Sequence, residues 1–325
     1  KTHFSNEGAG TTQQYTMTDA DRATTGHSFA WQWDVGTADG TIGSGQTCYF
    51  RQFIEAQNCS GLAYGSSAAK TLTLSFWVKS AKTGTYCCSV AKPDSTAYYL
   101  PLEYTISSAN TWEFKTLEIS PTAGSTSLIT GSGGDIAQDN GQGLILYWWL
   151  AAGSEFHGTN NTWTTNSSHL ATSNQVNWLD STSNNFYITG IQLEVGDSAS
   201  DFEHLPFDVQ LQRCMRYYQK IADHSEVDSA SIGDGYYYSS SVIMGTLRWP
   251  VPMRAAPTAD QVTGTNYYAL QRNGTTDNFD GVSLASFDTR ACRIYVDSGA
   301  SGTAGQAGRL LANNASAKLA VTAEF

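Results

Sequence analysis

Within the stretch 153–180 the sequence sets Trp163 and Trp178 among Asn161, Asn177 and Asp180. A pyranose ring presents an apolar C–H face that stacks on an indole or phenol, while its hydroxyls need amides and carboxylates as partners. These five residues supply both halves of that recognition and are the predicted glycan contacts. The run Tyr236-Tyr237-Tyr238 is a second aromatic cluster. Alternate side chains of a strand point to opposite faces, so part of that run must turn inward. Glycosidic hydrolysis asks for more, namely two carboxylates about 5 to 10 Å apart across a cleft. Glu155 with Asp180 is the best pair on offer, and in an acidic chain such pairs are common.

No catalytic signature accompanies them. The chain has no G-x-S-x-G, H-E-x-x-H, Walker loop or G-x-G-x-x-G. Its histidines, His3, His27, His157, His169, His204 and His224, lack paired spacing and read as loop or surface residues. Cys48, Cys59, Cys87, Cys88, Cys214 and Cys292 show no metal-ligand pattern, and adjacent Cys87 and Cys88 on a strand would face apart. They read as free, buried, small hydrophobes, and no cofactor or metal is expected.

The framework that would carry these residues is all-β. Among 325 residues 14% are charged and 12% aromatic, and the formal net charge of −11 argues against broad nucleic-acid binding. The longest apolar run, 144–152, is far short of the roughly 20 residues that a membrane-spanning helix needs. Alternating patterns predict strands at 29–35, 48–55, 71–79, 85–90, 98–106, 112–119, 144–151 and 186–195. In the third of these, Leu72, Leu74, Phe76 and Val78 face a core and Thr73, Ser75, Trp77 and Lys79 face water. Eight such strands suit a two-sheet jelly roll over residues 1–205, interrupted by long insertions at 121–143 and 153–180.

After Pro206, residues 206–222 read as an amphipathic linking helix with Phe207, Leu211, Cys214, Met215 and Tyr218 on one face. Residues 223–325 read as a smaller β-sandwich or open barrel, with strands at 236–244, 281–286, 291–296 and 318–325 and a short helix at 301–311. The chain opens at Lys1 without a methionine, and a preceding segment that attaches it to a larger particle is expected.

Five segments carry a family resemblance: TLTLSFWVKSAKTGTY at 71–86, ANTWEFKTLEIS at 109–120, ITGIQLEVG at 188–196, RCMRYYQK at 213–220 and LRWPVPMRAAPT at 247–258. Together they resemble tailed-bacteriophage fibre and virion proteins, in which a carbohydrate-binding-module-like jelly roll passes through a helix to a small C-terminal β-domain. The resemblance implies a non-enzymatic tail fibre or receptor-binding fibre subunit on the virion, a homotrimer joined to other virion proteins and attached to host-surface glycan. A head fibre or capsid-decorating protein is the alternative, and a surface-polysaccharide depolymerase a further one. Around a threefold axis Leu211, Met215 and Tyr218 would form the subunit interface; packing of that face within one subunit is the competing reading. The structural calcium of many carbohydrate-binding modules has no recognisable ligand loop in this sequence.

Overall fold

The computed structural model describes the backbone of Thr2–Phe4 and residues 8–325; His3 lies in the first strand, and its side chain is outside the described residues. Two compact units divide the chain, Lys1–Glu203 and His204–Phe325, and in both the regular structure is mainly β-strand. The all-β class expected from alternation is the class observed.

In the first unit the described strands are β1 (Thr2–Phe4), β2 (Ala9–Thr16), β3 (Phe29–Thr37), β4 (Thr47–Glu55), β5 (Leu72–Ser80), β6 (Gly84–Lys92), β7 (Tyr98–Ile106), β8 (Glu113–Ile119), β9 (Gln142–Ala152) and β10 (Asn185–Val195). Helix α1 (Asp19–Thr25) interrupts them, opened by a capping box between Thr18 and Asp21. Two antiparallel five-stranded sheets result, in the orders β1-β4-β9-β6-β7 and β2-β3-β10-β5-β8. Trp33, Phe76, Trp148 and Phe186 are fully buried in the core that both sheets line. Phe50 stacks on Trp148 with ring centres 5.1 Å apart.

Strand β5 sends Leu72, Leu74, Phe76 and Val78 into that core as predicted. Its other side is not wet throughout. Thr73 and Ser75 are buried, and Thr73 Oγ1 donates to the Gly196 carbonyl, because β5 runs inside its sheet between β10 and β8. In β9 the alternation divides two apolar sets. Leu144, Leu146, Trp148 and Leu150 enter the main core, while Ile145, Tyr147 and Trp149 point the other way and meet Leu170 and Ala171 of the 153–180 insertion. The 121–143 insertion is fastened by Lys92. Its buried ammonium donates to the carbonyls of Asp94 (2.5 Å), Gly133 (2.7 Å) and Asp135 (3.2 Å).

The second unit holds α2 (Phe207–Met215), β11 (Tyr218–Asp223), β12 (Ser231–Ser239), β13 (Val242–Arg248), β14 (Thr258–Val262), β15 (Tyr268–Arg272), β16 (Thr275–Phe279), β17 (Ser283–Ala285), β18 (Ala291–Val296), β19 (Ala307–Ala312) and β20 (Lys318–Thr322). A seven-stranded sheet, β16-β15-β19-β12-β13-β18-β17, and a three-stranded one, β11-β20-β14, share a core that includes Tyr237, Ile243, Ile294, Leu310 and Leu319.

Two expectations are corrected here. The helix does not extend to residue 222 but ends at Met215, so Tyr218 stands in β11 and not on the stripe with Leu211 and Met215. Backbone pairing wins over helical periodicity: Tyr218 and Gln219 pair with Thr322 and Val321 of β20, and Gln219 Nε2 caps the Met215 carbonyl at 3.0 Å. Residues 301–311 end in strand β19 instead of forming a helix. A Cβ at Gly308 would stand 2.0 Å from the Gln271 carbonyl oxygen, and this close approach lets β19 pair with β15 while Leu310 and Ala312 enter the core.

Replacing Lys92 with Met leaves those three carbonyls without their ammonium donor and is expected to cost about 3 kcal/mol of unfolding free energy, read as a lower urea midpoint. Burial lowers the Lys92 ammonium from 10.5 to about 8. Across that window the unfolded chain binds the proton that the folded chain has released, so this site's contribution to stability rises with pH. The rise should be missing from Lys92→Met. Among the thiols, Cys48, Cys59, Cys87, Cys88 and Cys292 are buried and Cys214 is exposed; burial pushes Cys59, Cys87 and Cys292 up to about 11. A thiol-reactive chromogen at neutral pH should therefore label Cys214 alone in the native chain and every cysteine once it is unfolded.

Candidate functional site

The five predicted glycan contacts do not share a binding surface. Trp163 is 2% exposed and Trp178 0%, both inside the main core. The Trp163 indole N–H donates to the Ser120 carbonyl at 2.8 Å, and that of Trp178 to the Asn185 carbonyl at 3.1 Å. Trp178 also packs against Trp33, with ring centres 5.8 Å apart. A ring in this position offers no face to a sugar, so the expectation of stacking at these two residues is corrected. The insertion that carries them fills the sandwich instead of standing out from it.

The polar members of the set hold the loop in shape. Asn177 accepts from the Leu179 N–H and donates to the Asp39 carbonyl, fixing the turn at Trp178–Asp180. Asn161 is exposed in a left-handed turn (φ 52°), its N–H bonded to the Pro101 carbonyl. Asp180 pairs with Lys82 and accepts from Asn184. Glu155 accepts from Ser44, so the two carboxylates considered for hydrolysis have separate partners. Among the described residues no group of three His, Cys, Asp or Glu side chains could hold a metal ion.

A second aromatic cluster of the first unit already encloses a cation. Tyr15, Trp112 and Tyr187 surround the Lys79 ammonium with ring centres at 4.9, 4.8 and 4.6 Å, and Asp21 lies 3.5 Å from it. Burial alone would raise the Asp21 carboxyl, but hydrogen bonds from Thr18, Trp112 and Tyr15 hold it at about 2. This cage is completed by the chain itself.

Exposed aromatic rings occur in both units, Phe29 and Phe114 in the first and Tyr236 and Tyr238 in the second, where they stand on a central strand. Strand β12 is the central strand of the seven-stranded sheet, and its alternation sends Tyr237 inward at 1% exposure while Tyr236 and Tyr238 stand out at 46% and 65%. Tyr237 is anchored by a hydrogen bond to Asp277 and by the Arg272 guanidinium 4.4 Å from its ring centre. Burial and the Asp277 carboxylate push its phenol well above the ordinary value. A register shift between Tyr237 and Ser239 makes Tyr238 part of a bulge, a device that re-aims side chains at strand ends.

Cross-strand register extends the exposed surface sideways. Tyr236 pairs with Ala307 of β19 and Met244 of β13, Met244 pairs with Tyr295 of β18, and Tyr295 with Ser283 of β17. These five residues share the outward face, with Met244 and Tyr295 half-buried. Thr246, Arg293 and Asp234 flank them, and the Arg293 guanidinium lies 5.2 Å from the Tyr295 ring centre. The result is an open aromatic row with a polar rim, suited to stacking and hydrogen bonding. The tyrosine triplet is visible in sequence; the roles of Met244, Tyr295 and Arg293 are not, because their membership depends on which residue faces which across strands.

No family model matches the chain, and no curated protein matches it. Among solved structures it is similar to the enzymatically active domain of tailspike protein 4 of bacteriophage CBA120, at 12% identity and TM-score 0.28, over 60% of this chain and 18% of that one. It is also similar to a putative sugar binding protein from Bacteroides thetaiotaomicron (10% identity, TM-score 0.31, 59% of this chain and 85% of that one). A third is a family 11 carbohydrate-binding module from Clostridium thermocellum in complex with a β-1,3-1,4-mixed-linked tetrasaccharide (10% identity, TM-score 0.30, 62% and 90%).

Proposed function

We propose that this chain is a non-enzymatic carbohydrate-binding structural protein of a tailed-bacteriophage virion, a homotrimeric tail fibre or receptor-binding fibre subunit that docks on host-surface glycan. The observation that carries the glycan reading is the outward row of Tyr236, Met244 and Tyr295 with Tyr238 beside it. Phenol rings presented on a sheet meet the apolar faces of sugar rings without needing a deep pocket. The virion reading rests on the five sequence segments.

Trimerisation is supported by α2. Phe207 is 77% exposed and Leu211 45%, and with Met215 they recur every four residues, so the helix has an apolar stripe and no buried residue. Three such stripes around an axis would remove apolar area from water at about 25 cal/mol per Å². Tyr218, in β11, is instead engaged within its own unit, its ring 5.6 Å from the Lys318 ammonium and its hydroxyl bonded to Asp260 at 3.4 Å. Shallow sites repeated on three chains gain avidity from effective concentration, so weak individual contacts suffice.

On a glycan array the variant Tyr236→Ala/Tyr238→Ala should lose about tenfold or more in affinity with an unchanged melting temperature. Trp163→Ala should instead cost about 3 to 5 kcal/mol of stability and leave the affinity of the folded fraction intact. Full binding by the tyrosine variant would remove the site from this face. Leu211→Asp should convert the trimer to monomer in analytical ultracentrifugation; a variant that stays trimeric would defeat the axial role of α2.

A further inference from the structure

We propose that the tyrosine row takes an acidic polysaccharide, a polymer bearing uronic acids whose carboxylates are held by Arg248, Arg293 and Arg309; this rests on the glycan reading above. All three arginines are exposed and lie on the outward face of the seven-stranded sheet. Arg293 sits two residues before Tyr295 and opposite Thr246, and Arg248 lies two residues beyond Thr246, opposite Ala291. On the other side of β12, Arg309 pairs with Asp234, two residues before Tyr236. Arg309, Asp234, Thr246 and Arg293 thus form the outward rung next to the aromatic row, with Arg248 one rung beyond, so the cations line one flank of the row.

The electrostatics select the ligand. The chain carries −11 overall, yet the outward positions of β12, β13, β18 and β19 hold three guanidiniums and one carboxylate, that of Asp234. Among the described residues none of the three joins a salt bridge; Arg309 donates to Gln271 Oε1 at 3.0 Å, and Arg293 lies by the Tyr295 ring. A guanidinium is a planar fork matched to a carboxylate, and it keeps that geometry while stacked on an aromatic ring. Outward positions recur about every 6.8 Å along a strand and strands lie about 4.8 Å apart, the scale of single sugar rings. A duplex nucleic acid presents a charge about every 1.7 Å of axis, too dense for three arginines on an acidic protein.

The test is affinity electrophoresis of the full chain in gels containing polygalacturonate, alginate or hyaluronate, each run beside its carboxyl-reduced form and beside single-stranded DNA. Retention by at least one polyuronate is expected to fall tenfold or more between about 50 mM and about 500 mM NaCl. It should fall similarly in Arg248→Gln/Arg293→Gln/Arg309→Gln and be lost on the carboxyl-reduced polymer. Equal retention by the reduced polymer, dependent on Tyr236 and Tyr238 but not on the arginines, would overturn the acidic class and leave the glycan reading standing. Absence of retention on all polymers, charged and neutral, would overturn both. Retention on DNA as strong as on the polyuronates would overturn the assignment in favour of nucleic acid. The exposed arginine positions and the variant-free salt and carboxyl-reduction arms keep the result independent of any folding defect.

Discussion

A strand that is apolar on both sides cannot have one face in water, and β9 is such a strand. The two-residue period of the pleat splits it into Leu144, Leu146, Trp148 and Leu150 on one side and Ile145, Tyr147 and Trp149 on the other. The first set closes the sandwich; the second obliges a further layer to form, and the 153–180 insertion supplies it through Leu170 and Ala171. Once that segment is drawn onto the sheet, its indoles follow. Burying an aromatic side chain of 150 to 250 Å² is worth roughly 4 to 6 kcal/mol at the usual coefficient, whereas stacking geometry adds only about 0.5 to 1.5 kcal/mol beyond burial. Burial therefore decides where Trp163 and Trp178 go, and both complete the core.

Strand β12 obeys the same pleat with a different outcome. Its inward residues, Ile232 and Tyr237, are core, but its outward ones are Asp234, Tyr236 and Tyr238, which no layer buries. The sheet therefore keeps aromatic rings at its surface without a loop to hold them. Rigidity comes from the flanking strands on each side and from Tyr237, whose hydroxyl is tied to Asp277 beneath. Backbone pairing positions such a surface more accurately than a mobile loop would, and shallow recognition depends on that accuracy.

Alternation makes most of the first unit legible: β3 to β10 are all anticipated within a few residues at either end. Strand β2, AGTTQQYT, is invisible because a mostly exposed strand at the margin of its sheet needs no apolar face. In the second unit the run RCMRYYQK carries helical spacing across a junction where the partner strand β20, about a hundred residues later, decides the conformation. The loop tryptophans show the limit at the site. Composition reveals that aromatic rings are present in an insertion, but direction follows from volume left unfilled elsewhere in the fold. Register has the same character, since a slip of one residue would exchange the inward and outward sets of β13 and β18 and dissolve the row.

The distribution of cations follows from these placements. Six of the eight lysines are committed to structure: Lys79 inside its aromatic cage, Lys92 under three carbonyls, and Lys82, Lys115, Lys220 and Lys318 beside Asp180, Glu113, Glu226 and Asp260. An ammonium is a compact point charge that local acceptors can satisfy completely. On the outward face of the seven-stranded sheet the cations are arginines, spread over β13, β18 and β19 with one carboxylate among them. In a chain with eleven more acidic than basic residues, a face that gathers positive charge without neutralising it runs against the mean field of its own protein. An anion from outside would complete the electrostatics of such a face, and the aromatic row beside the arginines would favour one with flat apolar surfaces of its own.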